Sequence, residues 1–367
     1  MIDHVASDEV LDLAFKWLCK SRANANHNSD VWFLRSRWGE IKPHLQATLR
    51  AGEYRLSATE RKCFDGKVVE VWSARDAIVL KSVAIVLGQE LELSKRCFHL
   101  AGRGGTQAAI GEVTKAVSEN RFVFRTDVKK YYASIDHQCL LERVRRIIAD
   151  DFVFSLIEQY VCHIVYDGGY FKEVNKGICL GCSLSPLMGA IYLQEIDEAM
   201  EESGLFYVRY MDDWVVIAPT RWKLRDAIRR VNKIMNVLKV EQHPDKTFIG
   251  SIERGFDFLG FRFAPGGVRA AQVTIVRFVE RVSQLYEQGA KSFRIGAYAL
   301  RWRKWLRDNL ISTTELSQSE SGNTKQRPHS QGCWLRDCTS AASSGMRNRE
   351  VVFPADARCC AFAFVEI

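Results

Sequence analysis

The sequence predicts an α+β protein, with antiparallel strands and helices packed in layers around a shared core. Three observations carry that expectation. Phe206–Tyr210 (FYVRY) and Trp214–Ala218 (WVVIA) are two β-patterned runs separated only by Met211, Asp212 and Asp213, which predicts a hairpin. Arg121–Asp127 (RFVFRTD) is a third compact strand pattern. Apolar residues at helical spacing fill most of the remaining chain and are clearest over 221–238.

In chain order, residues 1–60 read as helical. Leu11, Ala14, Phe15 and Leu18 recur at helical spacing, with Asp8 as a cap. Residues 69–93 begin strand-like (VVEVW) and continue as a helix. The run Gly102–Gly105 (GRGG) interrupts, and a short helix is expected over 106–118. After the 121–127 strand, 140–162 reads as one helix by period, and 187–200 as another, entered through Ser185 and Pro186. Residues 256–263 read as a strand followed by a turn at 265–267, and 273–310 as helical and basic. Residues 311–367 change character: eight of the first forty are Ser, and no period persists. That segment is expected to be disordered, or foreign to the domain before it.

The 367 residues, 47% hydrophobic and 26% charged, exclude a mostly disordered chain. No apolar run approaches the length of a membrane span, and the N-terminus has no basic stretch followed by an apolar one. Eleven scattered cysteines suggest free thiols in a reducing compartment, so a cytoplasmic protein with no membrane partner is expected. The net charge of +8 lies entirely in 1–310, because 311–367 holds six basic and six acidic residues. Within 271–310, eight basic and three acidic residues leave +5, interleaved with Tyr286, Tyr298, Trp302 and Trp305. Such a stretch suits a polyanion with stackable bases, and equally a solvated helix face whose basic stems cover aromatics.

The strongest chemical signal is the Asp212-Asp213 pair between two apolar strands. Adjacent carboxylates repel unless a cation holds them, although a solvent-exposed acidic turn would carry the same dipeptide. Asp127 ends another strand 85 residues upstream of Asp212. A third carboxylate at the end of a neighbouring strand would complete a site for two divalent ions.

At this point the sequence resembles the bacterial retroelement-type reverse transcriptases: group II intron proteins, retrons, diversity-generating elements and defence-associated relatives. The resemblance covers about residues 65–310 and rests on five motifs in family order. They are 125–137 (RTDVKKYYASIDH), 176–187 (KGICLGCSLSPL), 210–213 (YMDD), 243–247 (HPDKT) and 255–261 (GFDFLGF). It implies a right-hand polymerase, with an N-terminal helical extension over 1–64 and fingers over 65–125. An antiparallel-sheet palm would span 126–273, a basic helical thumb 274–310, and a tail 311–367. The implied reaction is RNA-directed addition of deoxynucleotides to a primer 3′-hydroxyl, with two Mg²⁺ ions and Mn²⁺ as a substitute. The implied partners are an RNA template, a structured non-coding RNA among them, and a DNA or RNA primer.

Site roles carry over from the resemblance by position. Asp127, Asp212 and Asp213 would ligate the metals, with the Val128 backbone beside them, and Lys246 would act on the pyrophosphate. Arg75, Arg103, Tyr132, Gly181 and Ser185 would bind the nucleotide, with the Tyr132 ring excluding a 2′-hydroxyl. Pro186, Tyr210, Met211, Leu259, Gly260, Arg301 and Lys304 would contact primer and template. Two departures stand out: Leu180 replaces the usual Gln, and Ala133 the usual polar residue after the aromatic pair. They leave open a template-independent or self-primed polymerase of defence type, beside a non-catalytic RNA-binding relative. Cys179 and Cys182 read as packing residues, and His99, His137 and His243 as structural groups.

Overall fold

The computed structural model describes residues 1–64 and 67–318. The tail expected over 311–367 therefore lies outside the described residues from 319 onward, together with its four cysteines. The chain divides into two compact units, one of Met1–Leu259 with Phe263–Gly267, the other of Gly260–Arg262 with the residues from Val268 onward.

The first unit opens with α1 (Ile2–Val5), α2 (Asp8–Ser21), α3 (Asp30–Ser36) and α4 (Trp38–Arg50). Ser7, not Asp8, caps α2 by accepting from the Val10 amide, and Asp8 lies in the first turn where its charge suits the helix dipole. Phe15 on α2 stacks on Trp38 of α4 at 4.5 Å. α5 (Ala74–Glu90) packs against α2, and Ile78, Val79, Leu80, Val83, Val86 and Leu87 are all fully buried.

A first sheet, of order β2-β1-β4-β5, combines β1 (Thr59–Phe64), β2 (Lys67–Val71), β4 (Ile164–Asp167) and β5 (Tyr170–Glu173). The sequence predicted only β2 of these. β1 and β4 pair in parallel, Thr59 beside Val165, across more than a hundred residues. β5 is exposed along its whole length, so it carries no inside–outside alternation.

The second sheet, of order β6-β7-β3-β8, is antiparallel throughout. It comprises β3 (Phe122–Asp127), β6 (Phe206–Tyr210), β7 (Asp213–Ala218) and β8 (Phe248–Ser251). The expected hairpin is β6–β7, and β3 lies between β7 and β8. Val123, Phe124, Val215, Val216 and Ile217 are wholly buried. Around this sheet run α6 (Gly105–Glu119), α7 (Tyr131–Ser134), α8 (His137–Ile147), α9 (Asp151–Val161), α10 (Ser185–Tyr192), α11 (Gln194–Glu202) and α12 (Arg221–Val237). The single helix expected over 140–162 is two, because the Asp150 carboxylate takes the Phe152 and Val153 amides and starts a new helix. The helix expected over 187–200 is likewise broken, at Leu193.

The strand expected over 256–263 is also two, β9 (Phe256–Phe258) and β10 (Phe261–Ala264), because Leu259 and Gly260 take left-handed conformations (φ 49° and 85°). With β11 (Gly267–Ala270) they form a third sheet, through which the division between the units runs. The second unit continues as α13 (Gln272–Glu287) and α14 (Ser292–Gln318), separated by Gly289, in the stretch expected to be helical and basic. Its internal packing is aromatic: Phe278 stacks on Trp302 at 4.2 Å and on Tyr298 at 5.8 Å, and Phe261 meets Trp305 at 5.0 Å.

Candidate active site

The β3–β7 register places Asp127 directly opposite Asp213, with Asp212 in the adjoining turn. The sheet thus gathers at one end the three carboxylates that the sequence separates by 85 residues. They are not equivalent. Arg125, two residues before Asp127 on β3, grips Asp213 in a fork, Nε to Oδ1 at 3.1 Å and Nη2 to Oδ2 at 2.9 Å. Its Nη1 donates to the Lys246 carbonyl at 2.9 Å. The Lys246 ammonium reaches Asp127 Oδ2 at 2.8 Å. Among the described residues no three acidic, His or Cys side chains converge as a ready metal cluster. Both Asp213 oxygens are engaged by Arg125, whereas Asp127 is paired through one oxygen only, to Lys246, and Asp212 is held by neither cation.

The electrostatics fit a cation at Asp127 and Asp212. Burial, reinforced by the Asp127 charge, pushes the Asp212 carboxyl up to about 6. Burial does the same to Asp213, also to about 6, against the pull of Arg125. Two buried carboxylates that repel each other lose that penalty when a divalent ion neutralises them, and oxygen donors are what Mg²⁺ takes. The Val128 position is braced: the Asp127 carbonyl accepts from the His243 amide at 2.7 Å, and the Lys129 amide donates to the Glu241 carbonyl at 2.9 Å.

The turn itself is held by residues that sequence reading did not single out for it. Met211 has φ 56°, unusual for a residue with a side chain. Its amide donates to His99 Nδ1 at 2.9 Å, so the His99 proton resides on Nε2, which donates to the Pro186 carbonyl at 3.1 Å. Burial and the Arg209 charge push His99 down to about 4, keeping it neutral. Its structural role agrees with expectation. The Met211 carbonyl accepts from Arg209 Nη1 at 3.0 Å. Arg209 is wholly buried, with its Nε on Asp197 Oδ1 at 2.7 Å and its Nη2 on Asp197 Oδ2, and Tyr207 donates to the same carboxylate at 2.7 Å. The available signal was an Arg inside an otherwise apolar strand, FYVRY. A buried charge of that kind requires a buried partner. Tyr210 packs edge-on against His99.

Tyr132 stands beside the carboxylates: burial and the Asp212 charge push its phenol up to about 12. The segment holding it fits against 177–189 through two glycines. A Cβ on Gly177 would lie 3.0 Å from the Ala133 Cα and 3.1 Å from the Tyr132 carbonyl. A Cβ on Gly189 would meet the Tyr131 and Tyr132 rings at 3.1 and 3.3 Å. Gly181 is exposed and left-handed (φ 89°), next to a Leu180 side chain that is 61% exposed.

Ser185, Arg75 and Arg103, also expected at the nucleotide, have contacts of their own within the chain. Ser185 is buried, and its hydroxyl donates to the Cys179 carbonyl at 2.5 Å and pairs with the Tyr160 hydroxyl at 2.7 Å, so it braces the start of α10. Arg75 lines a cavity of about 290 Å³ with Phe33, Ile41, Tyr54 and Arg55 of the N-terminal segment, and none of the three carboxylates lines it. Arg103 is half-buried and donates to the Leu93 carbonyl at 3.0 Å. Cys179 and Cys182 are buried free thiols raised by that burial, as packing residues should be. In the second unit, the Gly260 carbonyl accepts from the Thr274 hydroxyl and the Ala271 amide, and Arg301 and Lys304 are exposed on α14.

Residues 91–263 match the family of reverse transcriptases (RNA-dependent DNA polymerases). Protein YkfC of Escherichia coli (strain K12) is 25% identical over 221 residues, which cover 51% of this chain and 56% of that protein. The chain thus spans little more than half the length of the curated relative it matches. Chains from a partial Cas6-RT-Cas1–Cas2 complex and from a Cas6-RT-Cas1–Cas2 complex align at 17% identity and a TM-score of 0.40. They cover 64% of this chain, and 42% and 26% of theirs.

Proposed function

We propose that this chain, whose residues 91–263 form a reverse-transcriptase domain, is an RNA-directed DNA polymerase that extends a primer 3′-hydroxyl with deoxynucleotides. The observation that carries the reading is the convergence of Asp127, Asp212 and Lys246 at one end of the β3–β7 pair, inside that domain. The primer oxygen attacks the α-phosphorus of the incoming triphosphate, a new P–O bond forms, the α–β bridging P–O bond breaks and pyrophosphate departs. Divalent ions, Mg²⁺ or in its place Mn²⁺, supply activation of the 3′-hydroxyl and charge neutralisation at the phosphates, and Asp127 and Asp212 would hold them.

The chain's own groups do the rest. Lys246, ion-paired to Asp127 and half exposed, is placed to turn to the β–γ phosphates and give the leaving pyrophosphate a proton. Arg125 keeps Asp213 off the reacting centre and, through the Lys246 carbonyl, fixes the turn that presents the ammonium. Tyr132, beside Asp212, supplies the ring that closes the pocket against a 2′-hydroxyl. Gly181, Pro186, Tyr210 and Met211 shape the template and primer path, Leu259 and Gly260 place the primer terminus, and Arg301 and Lys304 bind backbone phosphates. In this reading 65–125 serve as fingers, 126–273 as palm and 274–310 as thumb, in a cytoplasmic enzyme that takes a structured RNA as template.

Primer extension on an RNA template with deoxynucleotides and Mg²⁺ tests the proposal, comparing the wild type with the Asp212→Asn, Asp213→Asn double variant. Template-complementary product that the variant fails to make is the expected result. Product unrelated to the template would favour an untemplated polymerase, for which the exposed Leu180 in place of Gln is the one structural pointer. Equal product from the double variant would sink the site assignment.

A further inference from the structure

α12 carries a second cationic surface that the catalytic reading does not use. Between Arg221 and Lys233 stand six basic residues and one acidic, Asp226, and all six basic residues are exposed. Its buried face, Leu224, Ala227, Val231 and Met235, packs on β3 and β7. Trp222, Arg225, Arg229 and Lys233, at spacings of three and four, form the stripe turned furthest from the sheet. Trp222 is 75% exposed, and the Arg225 guanidinium lies over its ring at 5.5 Å. The lone Asp226 is taken up by Arg229 and Arg230, at 3.3 and 2.9 Å, so it leaves the stripe net positive.

α12 starts at the end of the sheet remote from the catalytic carboxylates and runs back toward them, so that Asn232, next to Lys233, accepts from Gln242, the residue bridged to Val128. Arg221 stacks over Phe122 at 5.4 Å, and Phe122 pairs with Ala218 at the opposite end of the β3–β7 ladder from Asp127 and Asp213. Five residue steps along β3 set those ends roughly 17 Å apart.

We propose that the outer face of α12 is a docking surface for structured RNA, with Arg225, Arg229 and Lys233 on backbone phosphates and an unpaired base stacked on Trp222. Four of the six basic residues are Arg, whose planar fork suits phosphate oxygens, and an exposed indole under a guanidinium is a platform for a base. An acidic protein surface would satisfy the charges and leave the indole without a role. The surface binds RNA whether or not the chain polymerises, so it stands apart from the polymerase reading.

The test uses the full chain and a fluorescein-labelled RNA hairpin with a single-stranded tail, titrated by anisotropy at several KCl concentrations. Arg225→Gln, Arg229→Gln, Lys233→Gln in combination should weaken binding by about tenfold or more at low salt. The same variant should reduce the log–log salt slope by about 2 to 3, close to one counterion for each lost phosphate contact. Trp222→Ala should weaken the tailed hairpin and spare a tailless one. Extension of a short unstructured template should be unchanged in both. Unaltered affinity and salt slope in a triple variant of wild-type melting temperature would overturn the proposal. So would wild-type binding to polyglutamate as tight as to the hairpin, which would assign the face to an acidic protein. Single substitutions at Arg229 and Lys233, each lowering the slope by about 1, decide the matter if the triple variant does not fold.

Discussion

Asp212→Asn should abolish polymerisation and at the same time stabilise the metal-free protein, by an amount that depends on pH. Asp212 titrates at about 6 in the folded chain against an ordinary value of 3.8, a difference of about two pH units. A raised carboxyl binds its proton more tightly in the folded than in the unfolded state. Its contribution to stability is therefore fully present below about pH 4 and is lost as pH rises through 6. At 1.36 kcal/mol per unit, the ionised carboxylate costs the folded state about 3 kcal/mol near pH 8. An amide carries no such charge. The difference in stability between variant and wild type should thus grow by about 3 kcal/mol from about pH 4 to about pH 8, or roughly 5–10 °C in melting temperature. Thermal unfolding in EDTA at both pH values measures it, and the comparison between pH values cancels whatever the Asn amide itself gains or loses in packing. Added Mg²⁺ should raise the wild-type melting temperature near pH 8 far more than the variant's, because binding to the folded state stabilises it by mass action. A difference between the two proteins that is the same at both pH values would refute the reasoning, since it would mean that burial and Asp127 do not load charge strain onto Asp212.

Two further outcomes follow from the same geometry. Tyr132→Ala should raise ribonucleotide incorporation relative to deoxynucleotide, read by primer extension with each nucleotide class, and an unchanged ratio would reject the ring as the sugar filter. Arg209→Met should destabilise the first unit by about 3–5 kcal/mol in denaturant unfolding, because it strands the buried Asp197 carboxylate. The Arg209→Met, Asp197→Leu pair should recover most of that loss, and additive losses would show that the two charges are not coupled.

The carboxylate end of the β6-β7-β3-β8 sheet was legible because its signals are local. A strand, a hairpin and a helix each announce themselves within a few residues, and the five motifs keep their order. What was not legible depends on groups far apart in sequence. β1 and β4 pair across a hundred residues with no pattern in either strand to foretell it. The breaks in 140–162 and at Leu193 leave the helical period intact on both sides, so period alone cannot locate them. Asp150 was the available sign, a capping residue in mid-pattern. Ser185 and Arg75 kept the right residue types at the right positions, yet sequence position does not say which way a side chain turns. Ser185 turned inward to a carbonyl, and Arg75 lines a cavity with residues of the N-terminal segment. The Arg125–Asp213 fork was hidden for a further reason. Only the antiparallel register brings Arg125 beside the β7 carboxylate, and that register cannot be read from either strand alone.

That fork also explains how the YMDD turn stays formed while its carboxylates repel. A left-handed Met211 costs of order 1–3 kcal/mol by itself, and two adjacent half-buried acids add to it. Three anchors offset the cost, each on a different atom. His99 takes the Met211 amide, Arg209 gives to the Met211 carbonyl, and Arg125 neutralises Asp213. Asp212 is the carboxylate of the turn that none of the three touches. The repulsion that remains is therefore concentrated on the Asp212–Asp127 pair, where a cation relieves it, instead of being spread through the hairpin. A turn held in this way does not need the ion in order to fold. Relief of the remaining strain then appears as affinity for the ion, which is the property that a polymerase exchanging metal-bound nucleotides at every cycle requires of the site.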